Sequence, residues 1–168
     1  KYCTSIHHVK SHNEIVNVWS SEYPNSLGLF YSAITDFLGF AVNEGEYKMM
    51  GLASFGEPKY YDILSKTIKF ENNKLEIDTK YYDYVRRTDR SYSDLLANEL
   101  GVKPRRPDIP FEVGTEDFKI YANVAASAQK LLEDLLFAIF KYAHELTGEK
   151  NFLFSGGVAM NSSAVRKT

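Results

Sequence analysis

One cysteine, Cys3, stands in the whole chain, so no internal disulfide can close and no cysteine-based zinc site can form. That usage fits a reducing cytoplasm. Long hydrophobic runs are missing too: the most apolar stretch, residues 131–143, is interrupted by Glu133, Asp134 and Lys141, and no basic-then-apolar leader opens the sequence. A soluble, cytoplasmic protein without membrane attachment is expected. Charge of one sign is scarce, since 20 Lys and Arg against 22 Asp and Glu leave a net −2, which gives nucleic acid no general attraction. The basic groups Arg86-Arg87 with Arg90, and Lys103 with Arg105-Arg106, lie among acids and prolines and read as solvated surface. Histidines offer no ligand pattern either. His8 and His12 are four apart, but residues 10–14 read as a hairpin turn, where the two share no helix face. His7, His8 and His12 are therefore taken as edge-strand and turn residues, His144 as a helix residue, and no metal site is expected within this chain.

What is present is material for one core: 44% hydrophobic residues and 14% aromatic over 168 positions. Residues 4–19 predict a hairpin turning at Ser11-His12-Asn13. After Pro24, Asn25 or Ser26 can cap a helix whose apolar positions Leu27, Phe30, Tyr31, Ile34, Phe37 and Leu38 recur at three and four, with Gly39 as its stop. Residues 43–58 read as loop, short helix and loop; residues 60–67 as a small helix; Asn72-Asn73 as a hairpin turn before the strand Leu75-Glu76-Ile77. Residues 79–114, punctuated by Pro104, Pro107 and Pro110, predict a loop-rich insertion outside the core, with one helix ending at Leu100. From Thr115 to Gly148 the spacing of Phe118, Tyr121, Val124, Ala125, Ala128, Leu131, Leu132, Leu135 and Ile139 predicts a long core helix capped at both ends.

The segment Phe152-Leu153-Phe154-Ser155-Gly156-Gly157-Val158-Ala159-Met160-Asn161 has the form of a buried strand, a glycine turn and a helix start. Such a corner cradles phosphate, because glycines let backbone approach an anion and the first helical amides point at it. Asn161, about one turn on, is placed to reach a ribose or a phosphate oxygen. The same corner also serves α/β proteins that merely pack helix on sheet.

Several runs together resemble a known family. Pro24-Asn25-Ser26-Leu27-Gly28-Leu29-Phe30-Tyr31-Ser32-Ala33, Gly39-Phe40, Gly45-Glu46-Tyr47-Lys48-Met49-Met50-Gly51-Leu52-Ala53, and Thr147-Gly148-Glu149-Lys150-Asn151 with Ser155-Gly156-Gly157-Val158-Ala159-Met160-Asn161 are similar, in order and spacing, to carbamoyltransferases of the nodulation-protein NodU and antibiotic O-carbamoyltransferase type. The resemblance covers nearly the whole chain and is weakest over residues 59–118. It implies an α/β fold of the actin, sugar-kinase and Hsp70 superfamily (ASKHA, Kae1-like), with a mixed sheet and packed helices. The chain then corresponds to the middle of the carbamoyl-transfer domain, with a YrdC-like domain elsewhere in a longer polypeptide. Beginning at Lys1 and stopping inside a helical pattern, it reads as a piece of something longer, with room for a homodimer across any apolar surface left bare.

The resemblance further implies carbamoyl phosphate and ATP as substrates, a carbamoyl-adenylate intermediate, and transfer of the carbamoyl group to a hydroxyl of an acceptor. Gly156, Gly157 and Asn161 match the superfamily's nucleotide motif. Gly45 falls where related enzymes bring backbone to the adenosine, and Ser32 where they carry an aspartate toward the ribose; a neutral hydroxyl there gives the weaker hydrogen bond. Lys48 and Glu46 are the candidate catalytic residues, for balancing phosphate charge and orienting the acceptor, with a surface ion pair as the plain alternative. The family's iron is expected in the full-length domain, with ligands outside this chain, and the piece alone is expected to be inactive. Rival readings are another ATP-using enzyme of the superfamily, such as a sugar kinase, and a noncatalytic nucleotide-binding domain.

Overall fold

A computed structural model describes residues 2–167. Its spine is α5 (Glu116–Thr147), 32 residues and about 48 Å long. Thr115 accepts the Phe118 amide at 3.2 Å, Glu116 and Asp117 meet the positive end of the helix dipole, and Gly148 closes the other end in the left-handed conformation at φ 73°. Along its inward face Leu131, Leu132, Leu135, Leu136 and Ile139 are buried, each contributing about 2 kcal/mol through the area it removes from water.

Three shorter helices lie on this spine or beside it: α1 (Leu27–Phe37), α2 (Glu46–Ala53) and α3 (Tyr61–Leu64). Ser26 rather than Asn25 caps α1, accepting the Leu29 amide at 3.3 Å, while the Asn25 side chain accepts the Ile77 amide at 2.9 Å and so pins the second hairpin. The α2–α3 connection runs hard against α5. A Cβ on Gly56 would strike the Ala122 carbonyl, the Asn123 side chain accepts the Glu57 amide at 2.8 Å, and Ser127 Oγ accepts the Tyr60 amide at 2.9 Å. Polar residues on the spine thus satisfy loop amides that would otherwise be orphaned.

The sheets are two separate antiparallel pairs. β1 (Tyr2–Ser11) and β2 (Glu14–Glu22) form the predicted first hairpin, longer than expected; β3 (Ile68–Glu71) and β4 (Lys74–Ile77) form the second, turned by Asn72 and Asn73 at φ 50° and 63°. Trp19 joins them, donating its Nε1 proton to the Asn73 carbonyl at 2.7 Å and meeting Phe70 edge-on at 5.8 Å. Among the described residues there is no mixed sheet.

Two expectations change. Residues 79–114 form α4 (Asp94–Leu100) and two 3₁₀ turns; residues 103–114 are mostly exposed, but residues 81–102 join the core, with Tyr82 and Leu96 wholly buried and Tyr81, Leu100 and Val102 close behind. Their aromatic and leucine content outweighs the proline punctuation that suggested a loop. The run Phe152-Leu153-Phe154 is not a strand. It pairs with neither hairpin: Leu153 is fully exposed, Phe152 and Phe154 meet the Phe140 ring edge-on at 5.3 and 5.4 Å, and Phe154 packs against the core.

Candidate functional site

The loop between α1 and α2 is built before any ligand arrives. Gly45 caps α2 and is buried where a side chain has no room: a Cβ would come 2.6 Å from Phe40 Cβ and 2.8 Å from the Ala41 carbonyl. Glu46, the first residue of α2, turns its carboxylate back, accepting the Asn43 amide at 3.0 Å and the Ser32 hydroxyl at 2.8 Å. The resemblance assigned Ser32 and Gly45 to the nucleotide, with Glu46 a candidate catalytic residue, and in the fold these three are neighbours. Nothing in the sequence pointed to the carboxylate that Glu46 sets beside Ser32.

Lys48 points elsewhere. Exposed on α2, it lies 5.8 Å from the Tyr47 ring centroid, and it forms no ion pair with Glu46, since residues two apart on a helix face different directions.

The glycine corner sits at the other end of the same face of α1. Gly156 has φ 105° and ψ 176°, a region that only glycine occupies without strain, and the space around it and Gly157 is open. A four-residue 3₁₀ turn, Gly157–Met160, follows, and then the short α6 (Ser162–Val165), in place of the expected helix start. The corner therefore presents individual amides rather than the dipole of a long helix. The amides of Gly157 and Val158 have no partner among the described residues. Val158 Cγ2 lies 3.7 Å from a Cβ built on Gly28, and Gly28 and Ser32, four apart in α1, stack on one face about 6 Å apart. The corner and the Ser32–Glu46 pair so look onto a common side.

Asn161 is buried and committed. It caps α6 by accepting the Ala164 amide at 3.0 Å, and it exchanges a reciprocal pair of bonds with Gln129 of α5, both 3.0 Å. Gln129 also accepts the Tyr31 hydroxyl at 2.9 Å and donates to Glu133 at 3.0 Å, whose other oxygen accepts from Lys167 at 2.6 Å. Burial pushes the Tyr31 phenol well above its usual range, so it is a fixed donor. This network was not foreseen, although Gln129 and Glu133, four apart on an otherwise apolar helix face, were its signal. Behind it an open cleft of about 400 Å³ runs between α2, α5 and α6, bordered by Met50, Ser54, Gln129, Glu133 and Lys167.

Among the described residues no group of three or more His, Cys, Asp or Glu side chains could hold a metal ion. His8 contacts the Glu149 carboxylate at 3.3 Å and His144 the Glu149 carbonyl at 2.7 Å. These residues do not fit an iron site. No helix among the described residues is long and apolar enough to cross a membrane.

The family described as "Carbamoyltransferase N-terminus" matches residues 1–167. An uncharacterized protein of Synechocystis is 35% identical over 157 residues, covering 90% of this chain and 24% of that protein. Nodulation protein NolNO of Sinorhizobium fredii is 33% identical over 139 residues (82% of this chain, 18% of that protein), and nodulation protein NolO of Bradyrhizobium diazoefficiens 32% over 143 (82% and 22%). The chain therefore spans about a quarter or less of the length of these relatives.

Proposed function

The chain belongs to the carbamoyltransferase N-terminal family, and from that premise we propose that it is the middle of the carbamoyl-transfer domain of an ATP-dependent O-carbamoyltransferase. The domain is of the actin, sugar-kinase and Hsp70 kind, and a YrdC-like domain elsewhere in the longer polypeptide makes carbamoyl-adenylate from carbamoyl phosphate, water and ATP, releasing phosphate and pyrophosphate. The acceptor's hydroxyl oxygen then bonds to the carbamoyl carbon, the bond from that carbon to the AMP phosphate oxygen breaks, the hydroxyl proton passes to a base, and AMP leaves.

One observation carries the reading: the Val158 side chain of the glycine corner packs at Gly28, one turn of α1 from the Ser32–Glu46 pair, and the Gly157 and Val158 amides have no partner among the described residues. Amides at the glycine corner grip the adenylate's phosphate, and Ser32, backed by Glu46, meets its ribose beside the Gly45 backbone. Asn161 serves by holding the corner. Lys48, beside the Tyr47 ring and turned away from Ser32 and Glu46, would reach the departing phosphate only by a change of rotamer. This segment supplies the grip on the leaving group and no complete catalytic apparatus, so alone it turns nothing over.

The test is consumption of carbamoyl phosphate by the intact polypeptide. With ATP and a panel of hydroxylated acceptors, AMP and pyrophosphate should appear only when carbamoyl phosphate is present. ATP cleaved to ADP without it would favour a kinase-like enzyme, and no ATP binding at all would favour a noncatalytic domain.

A further inference from the structure

Arg105 stands in a segment whose sequence suggests solvated surface, and its contacts are of another kind. Its Nε donates to the Leu38 carbonyl at 2.7 Å and its Nη2 to the Gly39 carbonyl at 3.3 Å; its Nη1 donates to the Arg106 carbonyl at 3.1 Å and to that of Ile109; its backbone amide donates to the Phe37 carbonyl at 2.9 Å. One residue thus satisfies three consecutive carbonyls at the carboxyl end of α1, which the helix cannot satisfy itself. The guanidinium also lies over two rings, 4.2 Å from the Phe111 centroid and 5.4 Å from that of Phe40. None of its hydrogen bonds goes to a carboxylate.

These contacts reach the nucleotide loop in two steps. Gly39, at φ 70°, passes so near Arg105 that a Cβ would come 2.7 Å from its carbonyl oxygen, and the next residue, Phe40, closes the space around Gly45. Gly45 in turn starts α2 and fixes where Glu46 meets Ser32. We infer that Arg105 is a positioning residue: by capping α1 and stacking on Phe40 it sets the path of residues 39–45 and so the register of Gly45 and Glu46 against Ser32. The role this gives the loop rests on the proposed adenylate site. Only a planar fork can hold several carbonyls while lying on aromatic faces, so lysine cannot replace it.

The experiment compares R105K, R105A and the control R106A in the intact polypeptide. Arg106 makes a surface pair with Asp108 at 2.6 Å and serves as a matched loss of charge. Hydrogen exchange over residues 39–47, the ATP dissociation constant and the melting temperature are measured for each. R105K should exchange about tenfold faster in that segment, as expected when charge-assisted bonds are lost. Its ATP affinity should weaken by a similar factor, while exchange in the middle of α5 stays unchanged; R106A should match wild type in all three. The inference is overturned if R105K leaves residues 39–47 as protected as before, or if its loss spreads evenly through α1 and α5. A wild-type protein that binds no ATP sinks the proposed site instead, and the exchange comparison still decides the role of Arg105.

Discussion

Two loops face the same side of α1 and are built in opposite ways. The 39–46 loop is held from several directions: Arg105 at its start, the close fit of Gly45 against Phe40, and the Glu46 carboxylate drawing in Asn43 and Ser32. The corner at 149–161 is exposed over most of its length, and its principal buried polar attachment is the Asn161–Gln129 amide pair. A loop with many independent ties keeps its geometry when one is cut. A corner with one main tie keeps its amides open for a ligand but loses its place if that tie fails.

The sharpest way to break this contrast is Asn161→Leu. It removes one of the two bonds at each end of the Gln129 amide, which keeps Tyr31 and Glu133, and leaves the Ala164 amide without its cap, so a loss of about 2 kcal/mol is expected. Urea unfolding should report it, and residues 149–165 should become open to protease while the 39–46 loop stays protected. Gly45→Ala attacks the other side. The methyl group meets backbone and the Phe40 Cβ, neither of which can swing away, and a cost of about 2 kcal/mol is expected, with nucleotide affinity lost alongside.

Within the corner the two glycines should separate. Gly156→Ala forces a side chain onto φ 105° and should cost about 1 kcal/mol, whereas Gly157→Ala enters open space and should change stability by under ~0.5 kcal/mol. If Gly157→Ala nevertheless weakens ATP binding, the methyl group is obstructing a ligand rather than the fold.

Alkaline pH probes the link between the regions. Tyr31 reaches from α1 to Gln129, and its folded-state pKa is raised above the ordinary 10.0, chiefly by burial; Tyr61, raised by burial and then by its bond to Asp134, is pushed up to about 12. A raised folded value means the folded state holds the proton that the unfolded chain releases. This contribution is therefore complete below about pH 10 and lost as pH climbs through the folded values. The urea midpoint should fall from pH 10 to 12, and Tyr31→Phe should shallow the fall; an unchanged profile would remove Tyr31 from the network.

Much of the local structure was legible because local chemistry decides it. Thr115 and Gly148 bracket α5, the Asn72-Asn73 pair turns the second hairpin, and Gly39 stops α1, all where short-range rules place them. What stayed hidden depends on distant partners. Ser26 and Asn25 are equally good caps on paper, and only the Ile77 amide takes Asn25 away. Arg105 looks like any loop arginine until α1 ends against it. Phe152-Leu153-Phe154 has the composition of a strand, but a strand exists only where a partner pairs with it, and neither hairpin does. At the site, the glycines and Ser32 were readable as types, while the Glu46 partnership and the turning of Asn161 toward Gln129 required the fold.

The most direct test is a crystal structure of the intact polypeptide grown with ATP or its carbamoylated product. The account predicts nucleotide density on the Gly28–Ser32 face of α1, a phosphate oxygen within roughly 3 Å of the Gly157 or Val158 amide and the ribose beside Ser32. Well-ordered nucleotide on any other face, with both loops empty, would contradict it.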